Sequence, residues 1–286
     1  MPDKVCTFDC IYCQVAKTAN KTIRRFDYVN ISDIKKELAG ILKKYPKIDY
    51  ITFSGRGEPT LHKNLDKIIK AIKKFTNNKY PVCVITNSSL LYRKVVRREL
   101  QKADVIIPSL DAACSAKFLK VNRPHKKINY GKIIKGLIEL RKEFKGEIRL
   151  EIMAVASIND SSEEAYKFKK LISLIKPDKI YLNLPIRPCA RKVAIPSLRK
   201  LQKLKKIIGS DTDIVISTHK SEGKRDMNVS KDDITRYLKR RPETVTGVSN
   251  SLKISLRDTA SCLETLVKQK KMIKYNQRGK TYFFSK

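Results

Sequence analysis

The sequence has no apolar run long enough to cross a membrane. Its longest runs, such as Val105-Ile106-Ile107, have the length of a β-strand, whereas a membrane-spanning helix needs about 20 apolar residues. No charged segment followed by an apolar stretch precedes the first cysteine, so we expect no secretory signal. These absences favour a protein without a membrane partner, located in the reducing cytoplasm.

Acidic residues are scarce. The 286 residues include 28 aspartates and glutamates against 63 lysines and arginines, which gives a formal net charge of +35. Such a balance attracts polyanions, and nucleic acid is the partner that it favours. The excess is spread along the whole chain, so the alternative is a lysine-rich composition without any polyanionic partner.

The cysteine pattern is not typical of disulfides or of structural zinc. Seven cysteines, an odd number, in a long chain without a secretory signal do not form a plausible disulfide scaffold. Structural zinc usually takes four ligands from two Cys or Cys/His pairs, and the sequence shows no second pair. Outside the first segment the cysteines are scattered, at Cys83, Cys114, Cys189 and Cys262. We therefore predict only one metal cluster.

Three cysteines near the start are closely spaced. Cys6, Cys10 and Cys13 form a CxxxCxxC motif, with Tyr12 directly before the third cysteine. Three thiolates on one short loop can hold three corners of a cubane iron–sulfur cluster and leave the fourth iron without a protein ligand. Electron-transfer clusters normally have four cysteine ligands. An iron that is open to a small molecule therefore indicates a catalytic cluster.

The middle of the chain alternates strand and helix patterns, which is typical of a parallel sheet. Ser32 is expected to cap the first helix, and Ser161 has capping-box spacing to Glu164 in a later helix. Polar and glycine-rich residues follow several strands, at the end where βα barrels gather their catalytic groups. The predicted strands are residues 50–53, 82–86, 105–107, 148–155, 179–184 and 213–217.

The pattern changes toward the C-terminus. Residues 218–228 are polar and predict a linker between a core of residues 1–217 and a smaller unit of residues 229–286. Three amphipathic segments followed by a hairpin pattern predict a small winged-helix domain. The alternative use of such a domain is protein docking or substrate positioning. The basic residues that could meet phosphates are Arg257, Lys268, Lys270, Lys271, Arg278 and Lys280.

The cysteine motif, with Tyr12 in its aromatic position, resembles the signature of the radical S-adenosylmethionine (SAM) superfamily. The run from Lys4 to Gln14, followed by Thr18, resembles a narrower group of iron–sulfur oxidoreductases related to wyosine-type tRNA-modifying enzymes. The likeness covers about residues 3–190. It implies an α/β fold, a partial (β/α)6 TIM-like barrel, in which the motif's cysteines hold a 4Fe–4S cluster that binds SAM. It also implies a reductant such as ferredoxin or flavodoxin.

A second motif follows the first predicted strand. The run Ser54-Gly55-Arg56-Gly57-Glu58-Pro59 resembles the family's GGE motif, whose backbone receives the SAM amino group. Glycine lets the backbone approach a ligand closely, and the carboxylate of Glu58 suits an ammonium group. The resemblance therefore implies that Gly55, Gly57 and Glu58 bind SAM.

The resemblance also implies further SAM contacts. Tyr12 would lie beside the adenine, with a role as a core aromatic as the alternative. Asn87, Ser109 and Asp111 follow the next two strands and would reach the ribose and the methionine carboxylate. Turn formation and helix capping select the same residue types, so that interpretation stays open.

Three further features of the core concern its first strand, an acidic residue within a strand and an arginine after a strand. Only Met1 to Val5 precede Cys6, so we expect either that the family's first strand is nearly absent or that the sequence is truncated at its N-terminus. Glu151 lies within a strand and is a candidate for the barrel interior. Arg187 is a candidate for an anionic substrate group, with a surface salt bridge as the alternative.

Taken together, these residues predict an enzyme that reductively cleaves SAM to a 5′-deoxyadenosyl radical for hydrogen abstraction, with RNA as the favoured substrate. The organic chemistry belongs to the cofactor, while the protein supplies position and electrostatics. No individual catalytic residue is assigned. Two alternatives remain: an iron–sulfur-dependent regulator that binds nucleic acid, and a radical SAM enzyme that acts on a peptide or a small metabolite.

Overall fold

The computed structural model describes residues 4–215, 229–239 and 241–285. The predicted linker at residues 218–228 lies outside the described residues. Among the residues described, no helix is both long and apolar enough to cross a membrane.

The N-terminal part of the chain alternates short strands with helices. Its strands are β1 (Val5–Cys6), β2 (Asn20–Lys21), β3 (Ile51–Phe53), β4 (Val82–Thr86), β5 (Val105–Pro108), β6 (Glu147–Met153), β7 (Lys179–Asn183) and β8 (Thr212–Ile214). Its helices are α1 (Ile31–Lys44), α2 (Leu65–Phe75), α3 (Lys94–Leu100), α4 (Ser115–Asn122), α5 (Tyr130–Glu143), α6 (Ser162–Ile175) and α7 (Leu198–Ile208).

Strands β3 to β8 form one six-stranded parallel sheet in which every neighbour is the next strand of the sheet in sequence. Parallel neighbours require crossover connections, and one or more helices provide each crossover up to β8. This arrangement confirms the predicted α/β fold with a partial (β/α)6 barrel. The short strand β1 pairs with β2 rather than with this sheet.

The two faces of the sheet differ in chemistry, as strand β6 shows. Ile148, Leu150 and Ile152 are buried and join the apolar core with the helices. Side chains alternate between faces along a strand, so Glu151 and Arg149 point to the opposite, inner face. The Arg149 guanidinium reaches across this interior and donates to the Tyr50 hydroxyl at 2.9 Å. Polar side chains therefore line the inside of the barrel.

The C-terminal part forms a separate apolar core. A three-stranded antiparallel sheet runs in the order β10-β11-β9 beside three helices. The sequence pattern predicted the helices and the hairpin of β10 and β11, but not the third strand, β9. The elements are α8 (Lys231–Leu238), β9 (Glu243–Thr244), α9 (Val245–Leu252), α10 (Leu256–Lys268), β10 (Met272–Gln277) and β11 (Lys280–Ser285). We call this part the C-terminal unit.

Candidate functional site

The cysteine loop, residues 6–13, lies along the C-terminal end of helix α4. The backbone N–H of Ile11 donates to the Val121 carbonyl at 2.9 Å, and the N–H of Asp9 donates to the Asn122 carbonyl at 3.1 Å. Phe8 of the loop is buried, and its ring packs edge to face on Phe118 of α4 with the ring centroids 5.4 Å apart. Backbone hydrogen bonds to distant residues therefore fix the loop. Within it, only Cys6 belongs to a regular element, strand β1.

Cys6, Cys10 and Cys13 are all free and only partly exposed. The Cys13 N–H donates to the Cys10 carbonyl at 3.2 Å, so a tight turn joins the second and third cysteines. Across the described residues, no three His, Cys, Asp or Glu side chains are placed to share one metal ion. In a cubane cluster, by contrast, each thiolate binds its own iron.

Two side-chain amides point at the cysteine sulfurs. Asn87 Nδ2 lies 3.5 Å from Cys6 Sγ, and Asn122 Nδ2 lies 3.4 Å from Cys10 Sγ. Asn87 follows strand β4, and Asn122 ends helix α4. The barrel therefore presents hydrogen-bond donors to two of the three thiols.

Glu58 is buried and bound entirely by the chain itself. Its Oε1 accepts hydrogen bonds from the Thr60 hydroxyl at 2.6 Å, the Thr60 N–H at 3.1 Å and the Thr86 hydroxyl at 2.5 Å. Its Oε2 accepts from the Asn87 N–H at 2.8 Å. Burial raises the pKa of Glu58, while these hydrogen bonds lower it. The carboxyl thus joins the loop after β3 to the end of β4.

Asp111 is bound in a similar way. One carboxylate oxygen accepts hydrogen bonds from the Tyr12 hydroxyl and, at 2.7 Å, from Asn122 Nδ2. The other oxygen accepts from the Met153 N–H at 3.0 Å. Burial raises the pKa of Asp111, and these three bonds lower it. Asp111 therefore ties the cysteine loop to helix α4 and strand β6.

Gly55, Gly57 and Ser109 lie at the same carboxyl end of the sheet. Gly55 is exposed, and an added Cβ would meet nothing closer than the Gly57 backbone nitrogen at 3.8 Å. The chain's own packing therefore does not require glycine there. Ser109 bonds through its backbone N–H to the Thr86 carbonyl at 2.9 Å and forms a bridge with Glu151. Its side chain is partly exposed.

Glu151 is a buried carboxyl on the inner face of the barrel. Its Oε2 accepts a hydrogen bond from Asn183 Nδ2 at 3.1 Å. Burial raises its pKa to about 7, the Asn183 bond opposes the rise, and nearby Asp111 adds to it. A carboxyl on the inner face of the barrel whose pKa is raised to near neutral is a candidate for binding or proton transfer.

The environment of the thiols fits an iron–sulfur cluster. Burial raises the pKa of Cys6 to about 12, and the Glu58 carboxylate adds to the rise. Burial also raises the pKa of Cys10, with Asp111 as the next cause. A bound iron–sulfur cluster would supply the positive charge that stabilises the thiolates, and the thiol protons would be released on binding. Soft sulfur donors with N–H groups beside them suit iron–sulfur ligation.

Residues 185–193, which we call the strap, cover the outer side of the cysteine loop. The Ala190 N–H donates to the Cys13 carbonyl at 2.7 Å, and the Arg191 N–H donates to the Ile11 carbonyl at 3.1 Å. The Arg191 guanidinium also pairs with Asp9 at 2.8 Å. The strap therefore holds the third cysteine through its backbone.

The C-terminal unit binds the other side of the strap. Arg278 donates to two strap carbonyls, at 3.3 Å and 2.5 Å, and the Tyr282 hydroxyl donates to a third at 3.0 Å. Arg187 of the strap pairs with Glu243 at 2.8 Å and donates to the Gln14 side chain at 3.3 Å. Arg187 therefore forms a salt bridge, but a mostly buried one between the two parts of the protein.

The structure brings the predicted site residues to one end of the barrel, but it also shows contacts that the sequence did not indicate. Glu58 and Asp111 bind groups of the chain itself through their carboxylate oxygens. Asn122 and Asn183 were not singled out as individual site residues, because their partners lie far away in sequence. Asn122 stands at the C-terminal end of α4, where the sequence indicates only a polar segment, residues 122–125, that could line the mouth of the barrel.

Comparison with known proteins identifies the family. The family model of the Radical SAM superfamily matches residues 3–168, more than half of the chain. A UPF0026 protein of Methanocaldococcus jannaschii, MJ1312, is 34% identical over 99% of this chain and 89% of its own length. This match extends beyond the barrel and includes the C-terminal unit.

A longer relative carries a different name. The chain is 38% identical over 94% of its length to a Brachyspira hyodysenteriae protein named GTPase Obg, but it spans only 39% of that protein. No GxxxxGK[ST] phosphate-binding sequence occurs in the present chain. The name of that relative therefore gives no function to this chain.

Solved structures share the fold. A structure of TYW1 with a lysine–pyruvate adduct has a TM-score of 0.54 at 21% identity, over 73% of this chain and 71% of that one. Streptococcus suis SuiB bound to S-adenosylmethionine has a TM-score of 0.54 at 15% identity, over 82% of this chain and 52% of that one. The chain belongs to the radical SAM superfamily, among its UPF0026 proteins, and thus to a class of enzymes that use a 4Fe–4S cluster and SAM.

Proposed function

We propose that Cys6, Cys10 and Cys13 hold the 4Fe–4S cluster and that the chain acts on RNA. The observation that carries the first part is the cysteine loop itself, with three free thiols at the polar end of the barrel and amide donors at two of them. When bound there, the cluster supplies the electron that cleaves SAM to methionine and a 5′-deoxyadenosyl radical, which abstracts hydrogen from the substrate.

The chain's own residues then divide into those that bind SAM and those that position the binding groups. The accessible backbone at Gly55 and Gly57 carries no side chains and receives the SAM amino group. Glu58 fixes that loop against strand β4 through the four hydrogen bonds it accepts. We thus assign Glu58 mainly a positioning role, since its acceptor capacity is largely used by the protein.

The remaining predicted SAM contacts lie around the inner face. Ser109, with its partly exposed side chain, is available to the ribose or to the methionine carboxylate. Asn87 and Asp111 support this region through their hydrogen bonds to the chain. The Tyr12 hydroxyl donates to Asp111, and this bond orients the Tyr12 ring for contact with the adenine. Glu151 and Asn183 line the interior beside Ser109 and are placed to meet the substrate.

The C-terminal unit supports RNA as the substrate class. Its three helices and three-stranded antiparallel sheet have the order of a winged-helix domain. Arg278 is bound to the strap, so the hairpin docks on the barrel instead of presenting that residue to phosphate. The other five predicted phosphate contacts are exposed, at Arg257, Lys268, Lys270, Lys271 and Lys280.

The cofactor part of the proposal is tested by anaerobic reconstitution. We expect wild-type protein to show broad absorbance near 400 nm, as expected of such a cluster, and to release 5′-deoxyadenosine after reduction with SAM. Cys10→Ser should lose both signals, whereas Cys262→Ser, at a scattered cysteine in the C-terminal unit, should keep them. Loss in neither variant, or equal loss in both, would contradict the ligand assignment.

The RNA part is tested by binding at several salt concentrations. Changing Lys268, Lys270 and Lys271 together to Glu should weaken RNA binding and reduce the salt slope by about 3, one for each phosphate neutralised by a lysine in the wild type. A matched variant with Lys169, Lys170 and Lys176 changed to Glu has the same charge on exposed positions of the barrel. Equal effects of the two variants would indicate nonspecific attraction, and binding of a peptide without RNA would favour the metabolite or peptide alternative.

A further inference from the structure

The side-chain amides of Asn87 and Asn122 meet two cysteine sulfurs from different elements. Asn87 reaches Cys6 from the end of strand β4, and Asn122 reaches Cys10 from the end of helix α4. The distances, 3.5 Å and 3.4 Å, are those of N–H···S hydrogen bonds. The effect of each amide on its sulfur depends on whether the amide N–H or the amide oxygen faces it.

The orientation of the Asn87 amide is set by its other partners. Its Oδ1 accepts from the Ser89 N–H at 3.1 Å, which requires an oxygen at that position. Its Nδ2 also donates to the Thr7 hydroxyl at 2.8 Å. Exchanging the oxygen and the nitrogen would place an acceptor on the sulfur and a donor against the Ser89 N–H. The amide therefore presents N–H, not C=O, to Cys6.

The Asn122 amide is fixed by a charged partner. Its Nδ2 donates to the Asp111 carboxylate at 2.7 Å, and only a donor suits a carboxylate. The side chain is 2% exposed, so water does not compete for the amide. The same nitrogen lies 3.4 Å from Cys10 Sγ and 3.5 Å from the Tyr12 hydroxyl oxygen, so its second N–H points toward both. The bond to Asp111 fixes the amide without help from the sulfur.

Hydrogen bonds to cluster sulfurs are among the features that set a cluster's reduction potential. Each N–H places a positive partial charge beside sulfur, and this charge stabilises the reduced, more negative cluster more than the oxidised one. We propose that Asn87 and Asn122 raise the reduction potential of the cluster held by the cysteine loop. The inference rests on the proposed cluster ligands and concerns residues that tune the cluster without contacting substrate.

The third cysteine differs from the other two. Within the described part of the chain, no side-chain amide donates to Cys13 Sγ, and its loop position is held by a backbone bond to the strap. The effect on the reduction potential is therefore assigned only to the amides at Cys6 and Cys10. Removing either amide should have its own effect, and the two effects should add because the amides act on different sulfurs.

The test is a potentiometric titration of reconstituted protein, followed by EPR. Asn87→Leu and Asn122→Leu keep the approximate side-chain size and remove the donor. For each we expect the one-electron equilibrium to shift about tenfold toward the oxidised cluster, a midpoint lower by about 59 mV. Ser89→Ala is the matched control, because it removes a buried hydroxyl that bonds Thr7 but leaves both amides on their sulfurs. Midpoints of both Leu variants equal to that of the control would overturn the inference.

A second measurement needs no variant. Pulsed EPR of reduced wild-type protein with ¹⁵N-labelled asparagine side chains should show hyperfine coupling from two amide nitrogens, and its absence would also overturn the inference.

The outcomes of these experiments distinguish the proposed function from the proposed effect of Asn87 and Asn122 on the reduction potential. Wild-type protein that takes up no cluster overturns the proposed function. A wild type that cleaves SAM, with unchanged midpoints in the variants, overturns only the tuning by Asn87 and Asn122.

Discussion

The inner and outer sides of the cysteine loop are held by different means. On the inner side, the side-chain amides of Asn87 and Asn122 contact two sulfurs, and the buried carboxyls of Glu58 and Asp111 fix the surrounding loops. On the outer side, Cys13 is held by one backbone bond to the strap, which in turn binds the C-terminal unit. The barrel alone therefore fixes the surroundings of Cys6 and Cys10. The position of Cys13 also depends on docking of the C-terminal unit.

The largest effect is expected on the inner side. Glu58→Ala leaves four hydrogen-bond donor groups without their acceptor, and each unsatisfied buried donor costs about 1–3 kcal/mol. We expect the free energy of unfolding of the barrel to fall by at least about 4 kcal/mol, measured by urea denaturation. Asp66→Ala, which removes a partly exposed pair with Lys70, should change it by less than about 1 kcal/mol. A decrease below about 1 kcal/mol in Glu58→Ala would show that the inner side is not fixed by this carboxyl.

On the outer side, the link through Glu243 should be the strongest single contact. Glu243→Ala leaves the mostly buried Arg187 guanidinium without its carboxylate, a change that typically costs about 3–5 kcal/mol. Hydrogen exchange in the strap should accelerate by at least about 100-fold, while exchange in strands β4 and β5 stays the same. Lys274→Ala removes an exposed pair with Glu264 and should leave the strap unchanged. Equal acceleration throughout the barrel would contradict the separation of the two sides.

The interior carboxyl gives a pH-dependent effect. The folded-state pKa of Glu151, about 7, lies above its ordinary value of 4.5, so ionisation opposes folding as pH rises between those values. The cost is absent below about pH 4.5 and reaches about 3 kcal/mol above about pH 7. Glu151→Gln should therefore raise the melting temperature at pH 8 but not at pH 4. Glu139→Gln, a partly exposed control, should show no such trend, and a pH-independent gain in Glu151→Gln would disprove this interpretation.

The smallest effect is expected at the hairpin tip. Arg278→Ala removes two hydrogen bonds from an exposed side chain to strap carbonyls and should weaken docking by about 1 kcal/mol. Strap exchange should then rise roughly fivefold, well below the effect of Glu243→Ala. Lys280→Ala in the same turn serves as the control. A larger effect for Arg278→Ala than for Glu243→Ala would mean that the hairpin, and not the ion pair, controls the outer side.

The sequence predicted the barrel well because the relevant information is local. Buried apolar residues repeat along each strand and helix, as in α2, whose Leu65, Ile68, Ile69 and Ile72 are buried. Ser161 was also assigned correctly as a helix cap, since its hydroxyl accepts from the Glu164 N–H. The prediction for Ser32 was wrong, because α1 begins at Ile31 after Asn30 and Ser32 lies inside the helix.

The site was only partly predictable because its contacts join distant segments. The spacing of the cysteines is visible in one short run of residues, whereas the amide that meets Cys10 belongs to Asn122. Likewise, Glu58 was interpreted as a ligand for an ammonium group, but the threonines that occupy its Oε1 become neighbours only after folding. The residue types after the strands indicated that polar side chains meet at the carboxyl end of the sheet. Which atoms remain available to a ligand depends on the tertiary contacts.

The central claim is that the cysteine loop holds one cluster with an iron that is open to SAM. The most direct measurement is iron analysis of reconstituted protein together with the EPR spectrum of its reduced form before and after SAM is added. The account predicts four irons per chain, as in a 4Fe–4S cluster, and a spectrum that changes with SAM in wild type and in Cys262→Ser. A cluster retained in Cys10→Ser, or a wild-type spectrum indifferent to SAM, would contradict it.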